Sequence, residues 1–189
     1  MTLSPQLSSN ISLEEFLKLP ETEPASEYIN GQIYQKPMPQ GEHSTLQSFL
    51  VTSINLLAQP KKLAYAFPEL RCTFGGKSLV PDIAVFEWDR IPLLSNGRIT
   101  NQFETPPDWT IEILSPKQSP NRVIRNIMFS IQNGTKLGWF LDSEDESIMV
   151  FQPNQLPDIK QGKEIVPALD VLEGWNLSAA DIFNCLNFS

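Results

Sequence analysis

Two acidic residues of this chain stand where acids are costly. Glu112 sits in the middle of Trp109-Thr110-Ile111-Glu112-Ile113-Leu114-Ser115-Pro116, a run that alternates β-branched and aliphatic residues as a strand does and stops at Ser-Pro. Asp82 sits in Ser78-Leu79-Val80-Pro81-Asp82-Ile83-Ala84-Val85-Phe86, apolar on both parities as in a strand covered on both faces. A carboxylate in such a run needs an ion-pair partner, hydrogen bonds or a metal. If the two strands are neighbours, the carboxylates share one site and repel each other unless one is protonated or a cation lies between them. A hard divalent ion, Mg²⁺ or Mn²⁺, held by one or two carboxylates, water and substrate phosphate oxygens, fits that demand. The chemistry it would serve is phosphodiester hydrolysis. On the residues alone, Asp82 serves equally well as an acid capping the turn after Pro81, whereas a mid-strand Glu112 has fewer bland explanations.

The elements that must position these acids can be read in order. Ser12-Leu13-Glu14-Glu15 has the form of a capping box and opens a short helix that Pro20 ends. Glu27 to Tyr34 places Asn30-Gly31 between two short β-prone runs, a hairpin signal. Between Glu42 and Ala58, Leu46, Phe49, Leu50, Ile54 and Leu57 recur at helical spacing, with His43 in the first turn. Leu63 to Phe74 reads as one strand, turning at Gly75-Gly76 into a partner over Ser78 to Phe86. Glu87 to Pro107 is a polar excursion. Ser119-Pro120 then starts a second long helix with an apolar stripe of Val123, Ile124, Ile127, Met128 and Ile131, closed by Asn133-Gly134. Strands follow over Leu137 to Leu141 and Ile148 to Phe151, then a loop from Pro153 to Pro167 and a short helix from Ser178.

Length and composition set the frame. A chain of 189 residues with 41% hydrophobic and 19% charged residues fits one domain, expected over 12–189 behind a flexible tail of residues 1–11. No apolar run approaches the ~18 residues that span a bilayer, so no membrane partner and a cytoplasmic location are expected. Cys72 and Cys185 stand in no metal-ligand spacing and read as buried thiols. A net charge of −8 argues against general nucleic-acid binding, yet Ile113 to Leu141 holds no Asp or Glu while containing Lys117, Arg122, Arg125 and Lys136. A locally basic face for DNA, made of Lys117, Arg122 and Arg125, is therefore compatible with an acidic protein. Glu69 either pairs with Arg71 on one strand face or is a third site acid. His43 is either a partly exposed first-turn residue or a site residue.

Pro81-Asp82 followed by Glu112-Ile113-Leu114 resembles the PD-(D/E)XK nuclease superfamily. From about Ser12 to Phe183 the chain more closely resembles the Uma-two family of endonucleases, through Glu27-Tyr28-Ile29-Asn30-Gly31, the His43 helix, Val80 to Val85, Pro107-Asp108, Glu112 to Pro116, and Asn133-Gly134 through Leu137-Gly138-Trp139. The resemblance implies an α/β (α+β) domain with a restriction endonuclease-like core, a central mixed sheet flanked by helices. It also implies Asp82 and Glu112 as Mg²⁺ ligands, the Ile113 carbonyl as a further ligand, His43 near the site, DNA as substrate and a homodimer.

One departure stands out. The superfamily places a Lys two residues after the Glu, where this chain has Leu114, and the Uma-two pattern places it on the following helix, where this chain has Asn126. Arg122 lies one helical turn earlier on the same face and would supply charge, with a fixed fork for phosphate but little capacity for proton transfer. Two functions remain: a metal-dependent endonuclease, and a nuclease-like domain impaired in catalysis that serves as a nucleic-acid-binding or protein-interaction module.

Overall fold

The computed structural model describes residues 10–116 and 118–189. The expected tail therefore falls largely outside the described residues. At its inner end, Ile11 donates its amide to Gly31 O at 3.3 Å and accepts from the Tyr28 hydroxyl at 2.9 Å.

In chain order the elements are α1 (Leu13–Leu17), β1 (Ser26–Ile29), β2 (Gln32–Gln35), α2 (Gly41–Ala58), β3 (Ala64–Pro68), β4 (Cys72–Phe74), β5 (Lys77–Leu79), β6 (Ile83–Glu87), β7 (Trp109–Ile113), α3 (Pro120–Gln132), β8 (Leu137–Asp142), β9 (Ser147–Phe151), β10 (Asp158–Gln161) and α4 (Ala179–Phe183). The capping box at Ser12 and Glu15 forms as its spacing predicts, and Ser178 with Asp181 makes a second one.

Six strands form the main sheet in the order β10-β9-β8-β7-β6-β3. Only β7 and β8 run parallel, because α3 carries the chain over the sheet between them. The mixed α+β architecture flanked by helices is thus the expected one. A smaller sheet, β2-β1-β5-β4, is built from the early hairpin and the Gly75-Gly76 hairpin.

Strand parity decides which face each helix covers. Trp109, Ile111 and Ile113 point with Trp139 and Leu141 into a core shared with Leu46, Leu50 and Ile54 of α2 and Ile182 of α4. Phe140 points the other way, against Val123 and Ile127 of α3. Glu112 is paired with Phe140 in the parallel register and so belongs to the α3 face. Helix and sheet approach closely there: a Cβ at Gly138 would collide with Ile127. The small sheet packs Cys72, Phe74 and Leu79 onto Ala84 and Phe86 of β6. At the free edge of β3, the Asn55 side chain donates to Ala66 O at 3.0 Å and accepts from Ala66 N at 2.7 Å, standing in for a neighbouring strand.

Four expectations differ from what is observed. The single strand over Leu63 to Phe74 is two strands in two sheets, because after Pro68 the chain turns at Glu69 with φ +46°. Likewise Ser78 to Phe86 divides at Pro81-Asp82, which places Asp82 in a bend before β6 rather than within a strand. Within the expected loop from Pro153 to Pro167, Asp158–Gln161 adds an edge strand to β9. Finally, α3 buries Asn126 and Ser130 beside Val123 and Ile127, while Met128 is 46% exposed.

Among the described residues no helix is long and apolar enough to cross a membrane.

Candidate active site at the junction of the two sheets

Antiparallel pairing of β6 with β7 sets Ile83 opposite Ile111. The bend carrying Asp82 therefore lies at the C-terminal end of β7, where Glu112 and Ile113 are. Both carboxylates are buried, Asp82 at 2% and Glu112 at 5% exposure. The Asp82 carbonyl is pinned by the Gln47 side-chain amide at 2.8 Å and the Glu69 amide at 3.1 Å. Its Oδ2 accepts from the Ile113 amide at 2.7 Å.

The ammonium absent from positions 114 and 126 is supplied from elsewhere. Lys36, just after β2, extends its Nζ into the site and donates to Asp82 Oδ1 at 2.6 Å and to Val80 O at 2.7 Å, with Glu112 Oε2 at 3.6 Å. Its place is set by the hairpin: the Lys36 amide bonds Ala25 O at 2.9 Å and prolongs the β1–β2 ladder, which pairs with β5.

A third acid completes the arrangement. Glu27 of β1 is 6% exposed, accepts from the Val80 amide at 2.9 Å, and accepts from Asn126 Nδ2 at 3.2 Å. Asn126 thus sits within the site, as a neutral donor to a buried carboxylate. Arg122 lies over the Tyr34 ring, 5.1 Å from its centroid, and its charge reaches Glu27. Among the described residues it makes no ion pair with Asp82 or Glu112, so the cation at those acids is Lys36 instead.

His43 comes in from the first turn of α2. Its Nε2 is 3.4 Å from Asp82 Oδ1 and its Nδ1 is 3.1 Å from the buried Ser115 hydroxyl. A Ser115 hydroxyl that donates to Nδ1 leaves Nε2–H facing the carboxylate, which satisfies both contacts.

Electrostatically the site is unbalanced. Burial disfavours the Lys36 cation, but the facing charges of Asp82, Glu112 and Glu27 overcome this and raise its pKa well above the ordinary lysine value. Burial likewise works against the Asp82 anion, and Lys36, His43 and the Ile113 amide together hold its carboxyl below the usual range. Glu112 shows the opposite outcome. Burial pushes its carboxyl well up, Lys36 only partly offsets this, and Asp82 and Glu27 add to the rise. Glu27 is raised as well, again chiefly by burial. Lys36, with Arg122 reaching Glu27, does not balance three buried carboxylates at close range, and Glu112 has the ammonium at 3.6 Å and a backbone hydrogen bond from Asp82 to offset its burial.

That donor set fits a hard divalent cation. Among the described residues no three acid, His or Cys side chains form a closed metal cage. A Mg²⁺ ion, however, is commonly held by one or two carboxylates with water and phosphate oxygens as the remaining ligands.

The other predicted residues fall further out. Glu69 is exposed in its turn and meets Asp82 through its backbone amide. Arg71 bridges to Glu21 at 2.6 Å, so the expected pairing of Glu69 with Arg71 is replaced by a contact to the segment after α1. Ile113, expected as a metal ligand through its carbonyl, lies at the site and gives its amide to the Asp82 carboxylate. Arg125 is exposed on α3, and Lys117 lies outside the described residues.

Lys36 and Glu27 are the residues that sequence reasoning missed. Glu27 carried the same signal as Glu112, an acid inside the short β-prone run Ser26-Glu27-Tyr28-Ile29. Lys36, between Gln35 and Pro37, carried none.

Comparison with known proteins places this geometry in context. Residues 13–180 match the model of the family Uma2, described as "Putative restriction endonuclease". A crystal structure of a "putative nuclease belonging to DUF820" from Anabaena variabilis ATCC 29413 is 50% identical over 94% of this chain and 99% of that one, with a TM-score of 0.92. None of the curated proteins matches the chain.

Proposed function

The chain belongs to the Uma2 family, and from that premise we propose that it is a divalent-metal-dependent endonuclease that hydrolyses phosphodiester bonds of DNA. The observation that carries this reading is the Lys36 ammonium set between Asp82 at 2.6 Å and Glu112 at 3.6 Å in a buried site with surplus negative charge. Asp82 and Glu112 would hold Mg²⁺, with Mn²⁺ as a substitute. When bound, the ion supplies charge stabilisation at the phosphoryl oxygens and lowers the pKa of a water.

The chain's own residues do the remaining work. Lys36 keeps its proton, so its role is to bind a phosphate oxygen and orient the attacking water rather than to take a proton from it. Its charge also offsets the repulsion between Asp82 and Glu112. His43 and the Ile113 amide fix the Asp82 carboxylate from two sides, and a carboxylate held in one orientation binds without further ordering. Asn126 and the Val80 amide fix Glu27 in the same way. Arg122 and Arg125 on the acid-free helix would meet the DNA backbone.

The alternative of a binding module without catalysis was motivated by the missing lysine, and Lys36 removes most of that motive. Plasmid incubated with purified protein and Mg²⁺ should be nicked, and Lys36→Met, Asp82→Ala and Glu112→Ala should each lower nicking by at least about 100-fold. Equal trace cleavage by the wild type and all three variants would sink the enzyme reading.

A further inference from the structure

Arg71, Arg90 and Lys136 are each held in place by an acid, Glu21, Asp108 and Glu87 respectively. Two other bases are held by aromatic rings instead. Lys77, the first residue of β5, rests its Nζ 3.8 Å from the centroid of the Phe129 ring, and Arg122 lies over the ring of Tyr34 in β2. Among the described residues neither forms an ion pair with an acid.

Helix α3 sets where the two cations stand. Arg122, Asn126 and Phe129 are at i, i+4 and i+7, on one face of it. Asn126, in the middle, donates to Glu27 of the site. At one end Arg122 reaches the β1–β2 hairpin; at the other Phe129 stacks on Phe74 of β4, with 5.5 Å between centroids, and receives Lys77. The turn between β4 and β5 is pressed onto that end of α3: a Cβ at Gly75, which has φ +56°, would stand 2.5 Å from Asn133 Oδ1 and 2.8 Å from Phe129. The two cations therefore straddle the acids, and Glu27 feels both. Residues 122 and 129 are about 10 Å apart along the helix, at 1.5 Å per residue.

We propose that Lys77 and Arg122 are two phosphate subsites, one on each side of the reacting phosphate, that take the backbone of the DNA strand being cut. The identity of that strand rests on the nuclease reading above; the subsites themselves rest on the geometry.

Spacing, order and hydration all point the same way. A strand laid along α3 brings one phosphate per ~3.4 Å of duplex axis, so the span between the cations covers about three steps and leaves the intervening phosphates at the acids. A base paired with a carboxylate must give up that pair to bind phosphate, whereas a base lying on a ring keeps its whole charge and is already ordered. Lys77 has in addition lost part of its water: burial lowers its pKa, with the charge of Glu27 working the other way, and an anion at Nζ restores what burial removed. Arg122 offers the planar fork that matches phosphate. Between Ile113 and Leu141 there is no acid to repel the strand.

Fluorescence anisotropy of a labelled DNA duplex with the full chain, in EDTA so that nothing is cut, reads binding apart from catalysis. Lys77→Met and Arg122→Met keep a stem over the ring and remove the charge. Each should weaken binding about tenfold at about 50 mM salt and lower the slope of log K against log salt by about 1. Tyr34→Leu, which removes the ring and leaves the charge, should loosen binding about threefold with the slope unchanged. Lys163→Met, just beyond β10 at the edge of the main sheet opposite β3, should match the wild type. The proposal is overturned by a wild type that binds no DNA, by unchanged slopes in both charge variants, or by a Lys163→Met slope that falls as far as theirs. Plasmid nicking with Mg²⁺ separates this outcome from the fate of the enzyme reading. Unchanged slopes in a protein that nicks strike the subsites alone, and lowered slopes in a protein that never nicks leave the subsites and strike the nuclease.

Discussion

Two buried aspartates of this molecule look alike until their charges are counted. Asp108, fully buried at the start of β7, meets Arg90 at 2.6 Å and Lys136 at 3.2 Å, and accepts the Glu87 amide at 2.9 Å; Lys136 also pairs with Glu87 at 2.7 Å. Two acids there face two bases. Asp82 shares its surroundings with Glu112 and Glu27 but with only one lysine among its ion pairs. Burial of an acid therefore does not mark a site. A surplus of one sign, kept in the interior where it is costly, does. The Asp108 cluster ties the ends of the long excursion to the sheet, whereas the Asp82 cluster keeps more buried carboxylates than facing cations.

The largest separation of the two clusters should appear in paired substitutions. Glu112→Gln and Asp82→Asn should lower Mg²⁺-dependent cleavage by more than about 1000-fold while the protein stays folded, and chelation of the metal should do the same to the wild type. Asp108→Asn should behave inversely. It takes the buried anion from Arg90 and Lys136, both partly exposed and the latter still paired with Glu87, and should cost roughly 1–3 kcal/mol in urea unfolding, with turnover per folded molecule nearly unchanged. If Asp108→Asn silenced cleavage without destabilising the fold, the distinction would collapse.

The lysines offer the next contrast. Lys36→Met should reduce kcat by about 100- to 1000-fold in plasmid nicking, whereas Lys136→Met should change it less than about twofold. Asn126→Lys sharpens the same point: Lys36 already meets the acids, so restoring the helix lysine should raise cleavage by less than about threefold. A tenfold gain would mean that Lys36 is not the working ammonium.

Acidity provides the smallest effect. Glu112 and Glu27 have folded-state pKa values raised above 4.5, so the stability they contribute is present below that pH and is lost as pH rises through the raised values. Asp82 works in the opposite sense: its contribution is present above 3.8 and is lost as pH falls through its lowered value. Metal-free protein should therefore melt a few degrees lower as pH climbs from about 5 to 8, a slope that Glu112→Gln should flatten. Mg²⁺ affinity should rise over the same interval, because binding requires ionised carboxylates.

Much of this was legible in the chain. Glu112 announced itself because alternation fixed its strand and left the acid without a bland partner. The helix α3 between two strands could be read from Ser119-Pro120 and Asn133-Gly134, while the parallel direction of β7 and β8 could not. Strand boundaries near Glu69 and Asp82 were hidden, because a single residue at positive φ or a Pro-Asp bend moves a continuous β-prone run from one sheet to another without changing its hydrophobicity. Lys36 was illegible for a different reason. A lysine in a polar stretch before Pro37 reads as solvated, and only the docking of the small sheet, 46 positions away from Asp82, turns it inward. Glu27 is readable by the rule applied to Glu112, although in so short a run before Asn30-Gly31 an acid also fits an exposed hairpin strand.

The spread of the site along the chain also dictates when it can exist. Its contacts join Lys36 to Asp82, His43 to Ser115 and Glu27 to Asn126, closing loops of 46, 72 and 99 positions. Closure entropy grows only slowly with length, by about 0.6 kcal/mol per doubling, so loop length alone does not rank these links. The His43 and Glu27 links depend on β7 and α3 already lying against the small sheet, whereas Lys36 and Asp82 both flank that sheet and need neither. Glu27 and Asp82 can thus meet through the small sheet alone, and Glu112 joins them only when β7 pairs with β6. A chain that has emerged only as far as β6 holds Asp82 and Lys36 but neither Glu112 nor Asn126, and has no site to act with.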